Sequence, residues 1–252
     1  MKSILLLAAL VVGVLHTSAA SAEPVAANIA AALADAGRPP KDIASDAQRH
    51  PGEVLTFTGV HAGDSVADLM PGSGYFTRIF SKAVGATGHV YAMVPQEFAT
   101  RFPEGVKALN ALAADPAYGN VSVLIMPINA FSAPVPLDLV WTAQNYHDMY
   151  DAFMGPADVP RVNKAIRAAL KPGGTYLVLD HADAPGTGLG GSETLHRIDP
   201  QVIKTDVTAA GFVLEAESDL LRNPADDHKT LVFDPAIRGH TDQVIFRFRN
   251  PR

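Results

Sequence analysis

From Ser65 onward the chain alternates two kinds of apolar pattern. Short, nearly continuous apolar runs at 65–70, 89–94, 121–126, 137–143 and 175–180 are bounded by glycine, proline and polar turns. They read as strands buried on both faces of a parallel sheet. Between them, segments near 75–84, 97–113 and 157–170 read as covering helices. A helix at 200–210 precedes a strand at 212–219, and the last strand, 243–249, sets Val244, Phe246 and Phe248 against Gln243, Arg247 and Arg249. With the strand before it, this strict alternation predicts an antiparallel, hairpin-like pair that closes the sheet edge, joined by a long excursion over 221–242. The expected fold class is α/β: a Rossmann-like, seven-stranded, doubly wound sheet, mostly parallel with an antiparallel last strand.

The chain ahead of this alternation has a different character. Lys2, an apolar run from Ile4 to Leu15 and Ala20-Ser21-Ala22 predict a signal peptide over 1–22. The run is too short to span a bilayer, and no later stretch reaches the required length, so no stable membrane insertion is expected. The expected location is therefore outside the cytoplasm, periplasmic or secreted. Residues 23–57 read as an N-terminal helical cap and 58–252 as the α/β domain. Within the cap, an Ala-rich helix over 25–36 stops at Gly37 and Pro39-Pro40, a polar stretch carries Asp46 and Arg49, and a short helix spans 53–57.

Composition narrows the chemistry. With a net charge of −6 and no basic cluster, the chain offers little attraction to a phosphate backbone, and no nucleic-acid partner is expected. Zero cysteines exclude disulfides, thiolate zinc sites and a cysteine nucleophile.

The segment Asp68-Leu69-Met70-Pro71-Gly72-Ser73-Gly74-Tyr75 ends the first strand and opens a helix. Gly72 and Gly74 let the backbone turn sharply and let a ligand approach closely, and the following helix offers unpaired N–H groups at its positive end. Asp68 lies inside an apolar strand and needs a partner, either the turn's own amides or a bound cation. A nicotinamide-type G-x-G-x-x-G turn would need a third glycine where Thr77 stands.

This segment resembles the first motif of class I S-adenosylmethionine-dependent methyltransferases, an acidic residue followed by a G-x-G-x-G turn, with Met70 in place of the first glycine. Two further landmarks fall in that family's order. Leu170-Lys171-Pro172-Gly173-Gly174 resembles the turn before strand five, with Lys171 near the negative pole of the preceding helix, and Leu137-Asp138-Leu139-Val140 resembles strand four. The resemblance implies S-adenosylmethionine as cofactor. It places Asp68, Pro71, Gly72, Ser73, Gly74 and Tyr75 around the methionine part. Val94 takes the position of the ribose-binding acid, with Gln96 or Glu97 available from the next turn, and Asn129 stands after strand three where adenine is met.

In open parallel sheets ligands bind beyond the carboxyl ends of the strands. Strand four ends in Gln144-Asn145-Tyr146-His147-Asp148, and strand five in Asp180-His181-Ala182-Asp183. Here His147 is the candidate general base with Asp148 orienting it, Tyr146 packs on the sulfonium or the acceptor, and Asn145 and His181 complete the catalytic candidates. Asn145 as a helix cap with His147 and Asp148 as surface polars is the plain alternative. Gly186 to Gly191 reads as a mobile lid, His196 and Arg197 either as groups within reach of the acceptor or as capping and salt-bridge residues, and Asp199 as an N-cap before Pro200. The excursion segments 221–228 and 233–240 read as surface loops without chemistry.

The leading expectation is methyl transfer to a small-molecule acceptor. A second reading, motivated by export, Met70 and Val94, is a small-molecule binding protein of the same fold without transfer activity. A third is a metal-dependent hydrolase using His147, Asp148, His181 and Asp183; their spacing matches no established metal motif, and no metal is expected.

Overall fold

A computed structural model describes residues 25–155 and 157–252. The signal peptide expected at 1–22 lies outside them. Seven strands form one sheet in the order β3-β2-β1-β4-β5-β7-β6, with β1 Ser65–Leu69, β2 His89–Pro95, β3 Val121–Met126, β4 Leu137–Ala143, β5 Leu170–His181, β6 Val213–Ser218 and β7 Gln243–Arg249. The pairs β1–β2, β1–β4, β2–β3 and β4–β5 are parallel, and β7 runs antiparallel to both β5 and β6. Strand order reverses between β1 and β4, so their carboxyl ends, with that of β5, frame the crevice.

Each face of the sheet carries its own apolar cluster. One holds Met93, Val140, Tyr176, Val178, Phe246 and Phe248 with Val162 and Ile166 of α7 (Val159–Ala169) and Ile203 of α9 (Pro200–Ala209). The other holds Val66, Trp141, Leu177 and Ile245 with Ile79 and Phe80 of α4 (Tyr75–Val84). The N-terminal helices α1 (Ala27–Leu33) and α3 (Pro51–Thr58) bury Ile29, Ala32, Val54 and Leu55 in that second cluster. The N-terminal segment therefore shares the sheet's core.

Several local expectations are revised. The polar stretch before Pro51 is a helix, α2 (Pro40–Arg49), started by Pro40, whose missing N–H costs nothing at that position. Asp46 of α2 accepts two hydrogen bonds from Arg38 (2.8 and 2.6 Å) and one from the Tyr75 hydroxyl (2.6 Å), fastening α2 to the start of α4. The single helix expected over 97–113 is two, α5 (Gln96–Arg101) and α6 (Pro103–Ala114). Pro103 has no N–H to continue the ladder and drives Phe102 to φ −128°, outside the helical region.

Strand β5 starts at Leu170, and Lys171 bonds both Asp138 carboxylate oxygens at 2.8 Å, which gives it a side-chain partner on β4. The expected lid over 186–191 is tied down: the Gly186 and Gly188 amides donate to Asp199 Oδ2 at 2.7 and 3.3 Å, and α8 (Ser192–Leu195) follows. Asp199 does cap α9, accepting from the Gln201 amide at 2.9 Å. Arg197 is fully buried and paired with Asp226 (2.8 and 3.1 Å), with further bonds to the Ala182 and Thr230 carbonyls. It is a brace for the 221–242 excursion and does not reach an acceptor. Asp242 binds Arg222 at 2.8 Å and His228 at 3.0 Å, folding the same excursion back onto the sheet.

Candidate active site

The glycine turn keeps the backbone its motif requires, including where the glycine is missing. Met70 sits at φ 55°, a left-handed conformation that costs a non-glycine residue about 1–2 kcal/mol. The Met70 amide bonds to the Met93 carbonyl (2.9 Å), and its carbonyl accepts from Asn145 Nδ2 (2.8 Å), so a carbonyl of β2 and a side chain just after β4 hold the turn. Gly72 and Gly74 follow at φ 59° and 87°. A Cβ on Gly72 would meet nothing within 4 Å, whereas one on Gly74 would lie 3.1 and 3.2 Å from the Leu112 and Leu109 side chains of α6. One face of the turn is thus closed by α6 and the other is open.

No turn amide reaches the Asp68 carboxylate among the described residues. It accepts a 2.6 Å hydrogen bond from the Thr77 hydroxyl, so Thr77 joins α4 to β1 where a third glycine would have let them touch. Both are buried, and burial, only partly offset by that hydrogen bond, pushes the Asp68 carboxyl up to about 7.

The ends of β4 and β5 supply the second half of the site. His147 Nδ1 lies 2.8 Å from Asp180 Oδ1, and the His147 amide donates to Asp180 Oδ2 at 2.8 Å. The orienting carboxylate is therefore Asp180, the buried last acid of β5, and Asp148 lies instead 3.3 Å from Nε2 on the other side of the ring. Burial opposes protonation of His147, but the Asp180 charge and hydrogen bond, followed by the Asp148 charge, outweigh it and raise the imidazole to about 9. Burial itself works against the Asp180 carboxylate, yet His147 holds it below its ordinary value. A histidine in that state is a positively charged donor at neutral pH, not a free base. His181 behaves oppositely: burial drives it down to about 3, and its Nδ1 lies 2.8 Å from the Thr241 hydroxyl.

These groups share one cavity of about 680 Å³ with the glycine turn, within the range of small-molecule sites. Asp68, Pro71, Gly72, Ser73, Tyr75, Asn145, His147, Asp148 and His181 line it. Gly74 lies behind its wall. Tyr146 is buried in the core with its hydroxyl accepting from Asn163 at 2.8 Å, so it contacts neither cofactor nor acceptor space. Asn145 caps no helix; it bridges Thr142 to the Met70 carbonyl. Val94 is buried and faces small voids beside Phe98 and Leu69, Glu97 accepts from the Ile128 amide at 3.1 Å, and Asn129 accepts from the Asp158 amide at 2.7 Å. None of these three lines the cavity: β2 ends in apolar side chains that pack inward, and Glu97 and Asn129 serve backbone amides.

Other lining residues were not singled out from sequence. Arg49 comes from α2, its guanidinium 4.6 Å from the Tyr75 ring centre. Phe98, Phe102 and Phe153 form an aromatic cluster with ring centres 4.6 to 6.3 Å apart, and Arg101 stands beside them. Asp151, Val232 and Phe233 come from two loops and Glu193 from α8. Only Arg49 carried a sequence signal, as a cation in a polar segment ahead of the sheet; the rest are brought in by chain crossings that no local pattern encodes.

The architecture matches solved structures. A SAM-dependent methyltransferase from Aquifex aeolicus superposes with TM-score 0.56 at 19% identity, over 84% of this chain and 98% of that one. The N-methyltransferase NodS from Bradyrhizobium japonicum gives 0.55 at 15%, over 84% and 99%. This is the class I methyltransferase fold. A [4+2]-cyclase, SpnF, shares that fold at TM-score 0.59 and 16% identity, over 83% of this chain and 81% of its own, so the fold hosts more than one chemistry. By sequence, the chain is 27% identical over 197 residues to the ubiquinone/menaquinone biosynthesis C-methyltransferase UbiE of Ectopseudomonas mendocina. It is 29% identical over 194 residues to UbiE of Escherichia coli O1:K1 / APEC. The alignments cover 77 and 75% of this chain but span only 66 and 65% of those relatives. No family model matches the chain.

Proposed function

We propose that the protein is an S-adenosylmethionine-dependent methyltransferase acting, after export, on a small-molecule acceptor. The observation that carries this reading is the single cavity joining the glycine turn after β1 to the polar cluster after β4 and β5. Methyl transfer is an in-line displacement, in which the protein mainly aligns donor and acceptor in a water-poor site.

The lining residues fit that cofactor. Gly72, open to the cavity, leaves room for the methionine part above the turn. Arg49 carries no ion pair among the described residues and suits a carboxylate, while Asp68 suits a neighbouring positive charge. Phe98, Phe102 and Phe153 suit adenine by stacking. The ribose hydroxyls meet no acid from β2, because Val94 is in the core. The loss of such a charge-assisted hydrogen bond is worth about 1.5–3 kcal/mol, so affinity is expected to be modest. The bound cofactor supplies an electrophilic methyl group. The protein's own part is to seat the acceptor against His147, whose orientation Asp180 sets.

Isothermal titration with S-adenosylmethionine and then S-adenosylhomocysteine tests the reading. Saturable binding of both supports it; no heat with either ligand, from protein shown to be folded, returns the site to a binding protein for some other small molecule. Leucine substitutions at the two glycines sharpen the result. Gly72→Leu projects into the cavity and should weaken cofactor binding at least ~100-fold for a stability loss of about 1–2 kcal/mol, the cost of its left-handed backbone. Gly74→Leu drives into Leu109 and Leu112 and should cost about 3 kcal/mol or more, read by urea unfolding. Equal stability losses in the two variants would contradict this assignment of the open and closed faces.

A further inference from the structure

Where the ends of β4 and β5 line the cavity, three potential ligand atoms face one another. His147 Nε2 lies 3.2 Å from His196 Nδ1 and 3.3 Å from Asp148 Oδ1, and His196 Nδ1 lies 3.7 Å from the same Asp148 oxygen. We propose that His147, His196 and Asp148 form a binding site for a divalent transition-metal cation at the β4–β5 end of the cavity.

The dimensions suit such an ion. A triangle with these edges has its corners about 2.0 Å from its centre, so a cation about 2.1 Å from each donor sits just off their plane with its other positions open. Those distances are the ordinary zinc–nitrogen and zinc–oxygen lengths, reached here without moving a side chain.

The surroundings are arranged as a ligand set needs. A ligating histidine is normally held through its other ring nitrogen, and His147 Nδ1 is held by Asp180, itself fixed by the His147 and His181 amides at 2.8 Å each. With Nδ1–H kept by Asp180, an incoming metal displaces the proton from Nε2, and the lone pair so freed faces the triangle. His196 is the residue after α8 and sits at φ 53°, with its ring against Phe233 at 4.8 Å. This unfavourable backbone turns its imidazole toward His147.

A second observation points to a ligand at the same place. Asp151 is buried, lines the same cavity, and its Oδ1 has no hydrogen-bond partner among the described residues. A buried carboxylate oxygen left unpartnered is costly, and a cation or a water on that cation would satisfy it.

Two imidazole nitrogens, one carboxylate and open positions favour zinc, iron(II), cobalt or manganese over calcium or magnesium, which take oxygen ligands. The set is not the one the sequence suggested. Asp183 turns away to the Ala184 amide at 2.7 Å, and His181 pairs with Thr241. The open positions face the cavity, where a small molecule bearing an oxygen donor would coordinate. The site stands on these side chains whatever occupies the glycine turn.

The competing explanation for the 3.2 Å contact is a proton shared between the two rings, and metal uptake separates the two. The full chain, stripped with a chelator and dialysed, is titrated with Co²⁺ and separately with Zn²⁺ in the absence of any cofactor. The readouts are visible absorption for Co²⁺ and metal content by mass spectrometry. The expected result is about one equivalent of metal per chain, with Co²⁺ ligand-field bands, and a fall in affinity of at least ~10-fold in Asp148→Asn and in His196→Asn. Asparagine tolerates the left-handed backbone at 196, and circular dichroism with a thermal melt verifies folding of both variants. Asp183→Asn should bind as the wild type does. Folded wild-type protein that takes up no metal, or uptake unchanged in both ligand variants, or an equal loss in Asp183→Asn, would overturn the site. Because no cofactor is present, failure here leaves the methyl-transfer reading to its own test.

Discussion

Replacing Asp180 with asparagine should cost about 3–5 kcal/mol of folding stability, the range for removing one partner of a buried, hydrogen-bonded charge pair. Asp180 is fully buried, and its two oxygens accept from His147 Nδ1 and from the His147 and His181 amides, each at 2.8 Å. An asparagine offers one oxygen in place of two and turns an NH₂ group toward a donor. It also leaves the His147 imidazole without the charge that stabilises its protonated form. Because His147 is both held and aimed by this carboxylate, turnover should fall much further than cofactor affinity, which depends on the turn at the other end of the cavity. Urea unfolding at pH 7 measures the first effect and titration with S-adenosylhomocysteine the second. A stability loss under 1 kcal/mol would mean that Asp180 is not the anchor of this site.

Asp68→Asn should have the opposite sign. The folded protein holds the Asp68 carboxyl at about 7, because burial outweighs the Thr77 hydrogen bond, against an ordinary value of about 3.9 in an unfolded chain. Between those two values the folded state keeps a proton that the unfolded state releases. Stability from this group therefore declines as pH rises from about 4 to about 7, and stays flat above. A separation of about three pH units sets a ceiling of about 4 kcal/mol on the effect. The asparagine variant should be more stable than wild type at pH 8 and close to it at pH 4, with the pH slope between removed. Denaturant unfolding at several pH values checks this, and parallel slopes in the two proteins would refute it. The same variant should lose affinity for S-adenosylmethionine, since positive charge above the turn favours the ionised carboxylate; wild-type affinity should rise as pH passes about 7.

The two expectations place opposite demands on two buried carboxylates of one sheet. Asp180 has a cationic partner in the chain and is kept ionised, while Asp68 has only a hydroxyl and waits for charge from outside. A buried acid without a cationic partner among the described residues, lining a cavity, is a candidate for a group whose partner is a ligand.

Much of the fold was legible because the signals that carry it are local. The bounds of β3, β4 and β7 agree with the apolar runs, as does α4 with the segment after the glycine turn. A period of two, a period near 3.6 and a glycine needing a left-handed backbone each depend on residues a few positions apart. Where a local signal was read past, it was proline: Pro40 starts a helix in what read as a polar linker, and Pro103 cuts one helix into two. The motif logic also held at Met70, which adopts the left-handed turn that its side chain makes costly.

The site was only half legible for a different reason. The Asn145-Tyr146-His147-Asp148 run announced chemistry, but not which side chain turns inward; in the fold Tyr146 enters the core and His147 enters the cavity. Val94, Glu97 and Asn129 hold positions where a motif expects cofactor contacts, yet one packs among apolar side chains and the others serve backbone amides. Arg49 joins the cavity because α2 is pinned to α4 through Asp46, and Asp180 reaches His147 because β4 and β5 are parallel neighbours.

The sequence by itself determined the seven strands, the helices α4, α7 and α9 and the glycine turn after β1, since each follows from short-range sterics and periodic burial. The tertiary structure alone decided the partner of His147, the inward turn of His196 and the orphaned oxygen of Asp151. Those are meetings between residues up to 49 positions apart, and their geometry is set by strand order and loop closure rather than by neighbours in the chain.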